Sequence, residues 1–177
     1  MVSFTTVLTL AAGALAAPAP APANTQAPPN QILPAGYPNP WAWHIEGFEA
    51  GCVRSGCFYR FNLSVPASEA YPQGGKYYCS GTENGEFGNE NSFEDCSVVG
   101  DANAATAAAK LGRRVNSDPP KQLYVSFLKP GSAADQTNPY NFTAITTDWT
   151  YNAFVAVDEE FDVYPTIWQQ YPIPQSK

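Results

Sequence analysis

From Phe58 to Val65 the chain alternates strictly, with Tyr59, Phe61, Leu63 and Val65 on one side and Arg60, Asn62 and Ser64 on the other. A period of two is the pattern of a half-buried β-strand, one face in a core and one in water. The same pattern, less regular, recurs along most of the chain. Trp41, Trp43 and Ile45 alternate with Ala42, His44 and Glu46, which predicts a first strand with two tryptophans facing inward. Further strands are expected over Lys76 to Ser80, Phe93 to Val99, Leu123 to Leu128, Asn141 to Trp149, Tyr151 to Val157 and Glu160 to Tyr164, with Gly, Asn, Pro and Ser crowding the gaps. Ala102 to Leu111 reads two ways: a short helix between Asp101 and Gly112, or a strand beside Leu123 to Leu128.

Frequent short strands with at most one short helix predict a mainly β fold, an antiparallel β-sandwich or barrel in a single domain over residues 41–170. Residues 171–177 are left as a C-terminal tail. At the other end, Met1 to Ala16 runs through an apolar stretch into small residues, as a secretory signal peptide does. Residues 17–40 form a lead rich in proline and alanine, too poor in large apolar side chains to build a core and expected to be disordered. A PxxP ligand role for that lead is the weaker reading.

Four cysteines in a secreted chain predict two disulfides, and sequence permits three connectivities. Val53-Arg54-Ser55-Gly56 has the make-up of a tight turn, so the preferred pairs are Cys52–Cys57 across a hairpin and Cys79–Cys96 around a longer loop. The rival, Cys52–Cys96 with Cys57–Cys79, would staple neighbouring strands instead. Asn62-Leu63-Ser64 and Asn141-Phe142-Thr143 are N-glycosylation sequons, and alternation independently places Asn62 on the wet face.

Charge removes classes of partner. The formal charge is −7, with nine Lys and Arg scattered among sixteen acids. No basic stripe exists to neutralise phosphates, which argues against nucleic acid and anionic membranes. No stretch after the leader reaches the roughly 18 apolar residues of a membrane span.

Candidate chemistry is sparse. The single histidine, His44, lies in a strand and no Gly-x-Ser-x-Gly accompanies it, so no serine or cysteine hydrolase is indicated and no catalytic residue is assigned. Two acidic clusters, Glu94-Asp95 and Asp158-Glu159-Glu160 with Asp162, contain the residue types of glycoside hydrolysis or calcium binding, but nothing ties a specific pair to one cleft, and the spaced ligands and central Gly of a calcium-binding loop are absent. No metal or cofactor is expected. Arg113-Arg114 is a dibasic pair inside the domain. Aromatics make up 14% of the chain, most of them expected in the core. Trp149, Tyr151 and Trp168 are the candidates for an exposed platform that would stack on a sugar or a flat ligand.

The signal-type leader with its Pro/Ala-rich lead, the tryptophan strand ending in Phe48, Cys57 leading into Phe58 to Val65, and the spacing of Cys79 and Cys96 resemble small secreted fungal proteins. More distantly they resemble the major Alternaria allergen family. The resemblance spans about Trp41 to Phe127 and implies a cysteine-stabilised β-barrel. It also implies a non-enzymatic, effector- or allergen-like protein of the extracellular space or cell wall, whose partner is a host protein, a wall glycan or a small ligand. A glycan-binding module is the alternative, and a weakly recognisable hydrolase a third reading.

Overall fold

A computed structural model describes residues 31–69, 71, 74–85, 89–100, 105–127, 140–153 and 159–170. Among these every regular element is a strand: β1 Trp43–Val53, β2 Gly56–Val65, β3 Gly75–Thr82, β4 Glu94–Asp95, β5 Ser97–Val98, β6 Ala107–Leu111, β7 Leu123–Phe127, β8 Tyr140–Thr146, β9 Glu159–Val163 and β10 Thr166–Gln170. They form two five-stranded sheets, one in the order β5-β3-β2-β1-β9 and the other β10-β8-β7-β6-β4. Every pairing is antiparallel.

The edges explain why both sandwich and barrel fit. β4 and β5 are consecutive but belong to different sheets, and only Cys96 separates them. β9 and β10 repeat the arrangement on the other side, joined through Tyr164 and the buried Pro165. At each side of the sandwich the chain crosses from one sheet to the other, so the two sheets are joined like a flattened barrel. The stretch Phe93 to Val99, expected as one strand, is for this reason two short ones.

The core fills from the alternating faces. Trp41, Trp43, Phe127 and Phe142 pack edge to face, with ring centroids 5.0 to 6.1 Å apart, the spacing aromatic quadrupoles favour. Tyr59 and Tyr77 point inward from β2 and β3 and lie flat along their own sheet over glycines. A Cβ on Gly81 would stand 2.8 Å from Tyr59 Cζ, and one on Gly75 would strike the Tyr77 ring. Their hydroxyls donate across the sandwich, Tyr59 to Ala109 O of β6 at 2.7 Å and Tyr77 to Ala105 O just before β6 at 2.9 Å. Burial, and secondarily the charge of Glu94, push the Tyr59 phenol well above its usual range, so it stays a neutral donor.

This contact decides the ambiguous alanine segment. Ala107, Ala108 and Ala109 are buried in β6. Small side chains there let the tyrosines reach the backbone, and tertiary packing overrides alanine's helical preference.

Two further segments differ from expectation. Tyr151 and Asn152 are not in a strand, and residues 154–158 lie outside those described. A bulge sets Gly47 and Phe48 against Phe61 of β2, with Gly47 at φ 60°, a conformation glycine adopts freely. β9 pairs with β1 only as far as Phe48. Beyond it Asn152 serves as the missing strand: its Oδ1 accepts the Ala50 N–H at 2.9 Å and its Nδ2 donates to Phe48 O at 2.8 Å. At the N-terminal boundary, the end of the proline-rich lead belongs to the fold. Gln31 Nε2 donates to Trp41 O and Pro165 O, its Oε1 accepts the Trp41 N–H, and Tyr37 packs on Trp41.

Both disulfides follow the preferred pairing, Cys52–Cys57 and Cys79–Cys96. Cys52 and Cys57 are register partners at the tip of the β1–β2 hairpin. The second bond ties central β3 to the crossing residue Cys96.

Candidate functional site

Strand register assembles the outer face of the β5-β3-β2-β1-β9 sheet. Asp162 of β9 opposes His44 of β1, His44 opposes Ser64 of β2, and Ser64 opposes Lys76 of β3. This makes one polar row across four strands. The next row holds Glu46, Asn62 and Tyr78. The first row borders a cleft of about 670 Å³ whose walls include Val65, Pro66, Gly74, Gly75, Val98 and Val99. Val98 and Val99 are exposed apolar side chains here. His44 Nδ1 and Asp162 Oδ1 are hydrogen-bonded at 2.8 Å, and His44 Nε2 stands 3.6 Å from Glu46 Oε1.

Asp162, His44 and Ser64 are the residue types of a hydrolytic triad, but their placement is not that of one. Nε2 faces Glu46 rather than Ser64. Ser64 sits in a central strand with ladder partners on both sides, so its backbone N–H is not an oxyanion donor at a strained turn. Neither does the histidine converge with the acids on one point, because Asp162 and Glu46 meet different ring nitrogens. Among the described residues no group of three His, Cys, Asp or Glu side chains could hold a metal ion. What the row offers a ligand is an ammonium donor, a hydroxyl and an imidazole beside an apolar wall.

The acidic clusters are scattered. Glu159 accepts from the Thr150 backbone and hydroxyl, Asp162 holds His44, and Asp158 lies outside the described residues. Glu94 and Glu49 border a second cleft of about 450 Å³. Glu49 is taken by Arg60, Nε to Oε2 at 2.8 Å, and Glu94 by Asn84 at 3.0 Å. Of the dibasic pair, Arg113 is exposed and Arg114 is bound twice to Glu83.

The aromatic trio does not form one plane. Trp149 meets Tyr151 at 74° and packs on Phe48 at 5.3 Å, so both rings are half-buried extensions of the core. Tyr151 is pinned by its hydroxyl to Pro120 O at 2.6 Å. Trp168 lies on β10, in the other sheet, and its side chain is outside those described.

The two sequons also separate. Asn62 is exposed and directly across from Tyr78. Asn141 is buried, and its Nδ2 donates to Ser126 Oγ at 2.9 Å and Phe127 O at 3.1 Å. The lattice of β7 and β8 has no room for a sugar there.

No protein-family model, curated protein or solved structure matches the chain.

Proposed function

We propose that this is a secreted, non-enzymatic protein of the extracellular space or cell wall, effector- or allergen-like, that acts by holding a small ligand in the cleft beside His44, Ser64 and Lys76. The two disulfides are compatible with an extracellular protein. The signal-type leader and the resemblance to small secreted fungal proteins support the same setting. The observation that carries the binding role is the cleft itself, where apolar walls meet a short row of polar groups, the usual make-up of a small-molecule site. The ligand that fits has an apolar body lying on Val98, Val99 and Pro66 and an acceptor head turned to the Lys76 ammonium. In the same reading Asn62 carries an N-linked glycan and Asn141 does not.

Titration of the disulfide-intact protein with a medium-chain aliphatic carboxylate, followed by amide shifts, tests the role. Shifts should cluster on β2, β3 and β5, and Lys76→Ala should weaken binding about tenfold, a change of about 1.4 kcal/mol. The alcohol of equal chain length should bind no better than the carboxylate does to the variant. An even scatter of small shifts, or equal binding by Lys76→Ala, would remove the cleft from consideration.

A further inference from the structure

The Cys52–Cys57 bond lies in an environment unlike that of Cys79–Cys96. Arg114, from the loop after β6, places Nη2 3.3 Å from Cys57 Sγ. The guanidinium is fixed there by Glu83, with Nε to Oε1 at 3.1 Å and Nη2 to Oε2 at 2.6 Å, and Glu83 Oε2 in turn accepts the Cys57 N–H at 2.7 Å. Both charged groups have their positions set by these hydrogen bonds, so the contact with sulfur is built in. Exposure is unequal across the bond: Cys57 is 1% exposed, whereas Cys52 is only half-buried at the hairpin tip. Access is from the Cys52 side, and the cation is on the Cys57 side.

We propose that Cys52–Cys57 is a thiol–disulfide exchange site for low-molecular-weight thiols, with Cys52 as the sulfur attacked and Cys57 as the leaving group. A thiolate RS⁻ attacks Cys52 Sγ in line with the bond. The Cys52–Cys57 bond breaks, a Cys52–S–S–R mixed disulfide forms, and the electron pair leaves on Cys57 as a thiolate that accepts the Arg114 hydrogen bond. A second RS⁻ then attacks the R sulfur, giving RSSR and the Cys52 thiolate, so two thiols are oxidised as the protein disulfide is reduced. A neighbouring Arg lowers a thiol's pKa, and a lower leaving-group pKa speeds exchange. The fold survives the opening because the bond closes a loop of only six residues, across a hairpin that the β1–β2 ladder already holds from His44 to Val53. This site is independent of the ligand cleft.

The test treats the folded, full chain with increasing reduced glutathione under native conditions, quenches with an alkylating agent and maps peptides by mass. Trypsin cleavage after Arg54 puts Cys52 and Cys57 on separate peptides, so the adduct can be assigned. Expected is a glutathione adduct on Cys52, with Cys79–Cys96 still closed. Arg114→Gln should slow opening by about 3- to 10-fold, because without the neighbouring cation the leaving thiol's pKa rises and it leaves more slowly. An adduct on Cys57, or Cys79–Cys96 opening at the same glutathione concentration, overturns the proposal in the wild-type protein alone, whatever the stability of the variants. An unchanged rate in a folded Arg114→Gln variant overturns the role of the arginine.

Discussion

Asn152 is a loop residue that completes a sheet, and its removal measures how much that completion is worth. It bonds the Ala50 N–H and the Phe48 carbonyl of β1, and Phe48 and Ala50 are both fully buried. The backbone cooperates, with the Asn152 and Ala153 N–H groups both donating to Ala50 O at 2.9 Å. Asn152→Ala leaves a buried donor and a buried acceptor behind, at about 1 to 3 kcal/mol each. The sum, about 2 to 6 kcal/mol, is a large part of the stability of a domain this size. At about 3 °C per kcal/mol it lowers Tm by about 6 to 18 °C. Asn152→Leu keeps the volume and removes only the hydrogen bonds, so it should cost as much. Asn152→Asp retains an acceptor for Ala50 but loses the donor to Phe48 and buries a charge, and should be no better. Urea unfolding followed by tryptophan fluorescence gives all three values. If Asn152→Leu unfolds within about 0.5 kcal/mol of wild type, the hydrogen-bond accounting is wrong and the site is held by packing alone.

Three other outcomes follow from the same structure. Expressed through a eukaryotic secretory pathway, the protein should lose one glycan mass on Asn62→Gln and none on Asn141→Gln, whereas the second change should destabilise by breaking the bonds to Ser126 and Phe127; intact mass and thermal melts check both. Gly81→Ala places a methyl against the Tyr59 ring and should cost about 1 to 3 kcal/mol by overpacking, measured by thermal melts, with Tyr59→Leu in the same background restoring part of it if the clash is the cause. For Glu83, burial alone would raise the carboxyl, but the Arg114 hydrogen bond, the Cys57 N–H and the Arg114 charge together hold it below its usual 4.5. A depressed folded value means the stabilisation is complete above 4.5 and is lost as pH falls through the lower folded value, so urea midpoints at falling pH should drop less steeply in Glu83→Gln than in wild type.

How much of this was readable beforehand depended on whether a residue's role was set locally. β2 announces itself because it has one face in the core and one outside, and alternation records that directly. The Cys52–Cys57 pairing was legible for a similar reason, since a four-residue turn fixes which cysteines meet. β6 was not, because alanine favours neither face: the two tyrosines of the opposite sheet make it a strand, and nothing in Ala107 to Leu111 encodes them. Asn152 fell inside an expected strand, while the β1 backbone groups it bonds lie about a hundred residues away in sequence. β10 was missed as an element, and the polar row was invisible for want of register. His44 and Asp162 are 118 positions apart, and only the pairing of β1 with β9 makes them neighbours.

The way the sheets close also bears on what kind of partner the protein can take. An unpaired sheet edge invites a foreign strand, and proteins guard against this with short strands, charges or a change of direction. Here β4 and β5 are two residues each and turn at a disulfide-bonded cysteine, and β9 carries Glu159, Glu160 and Asp162 before the chain crosses at Pro165. Addition of a partner strand at these edges is therefore disfavoured, and recognition falls to the faces. The outer face of the β5-β3-β2-β1-β9 sheet carries mostly charged and polar side chains among the described residues, and at its border the exposed Val98 and Val99 stand beside Lys76. The proposed small-molecule reading rests on that border, where exposed apolar side chains adjoin the Lys76 ammonium at the cleft.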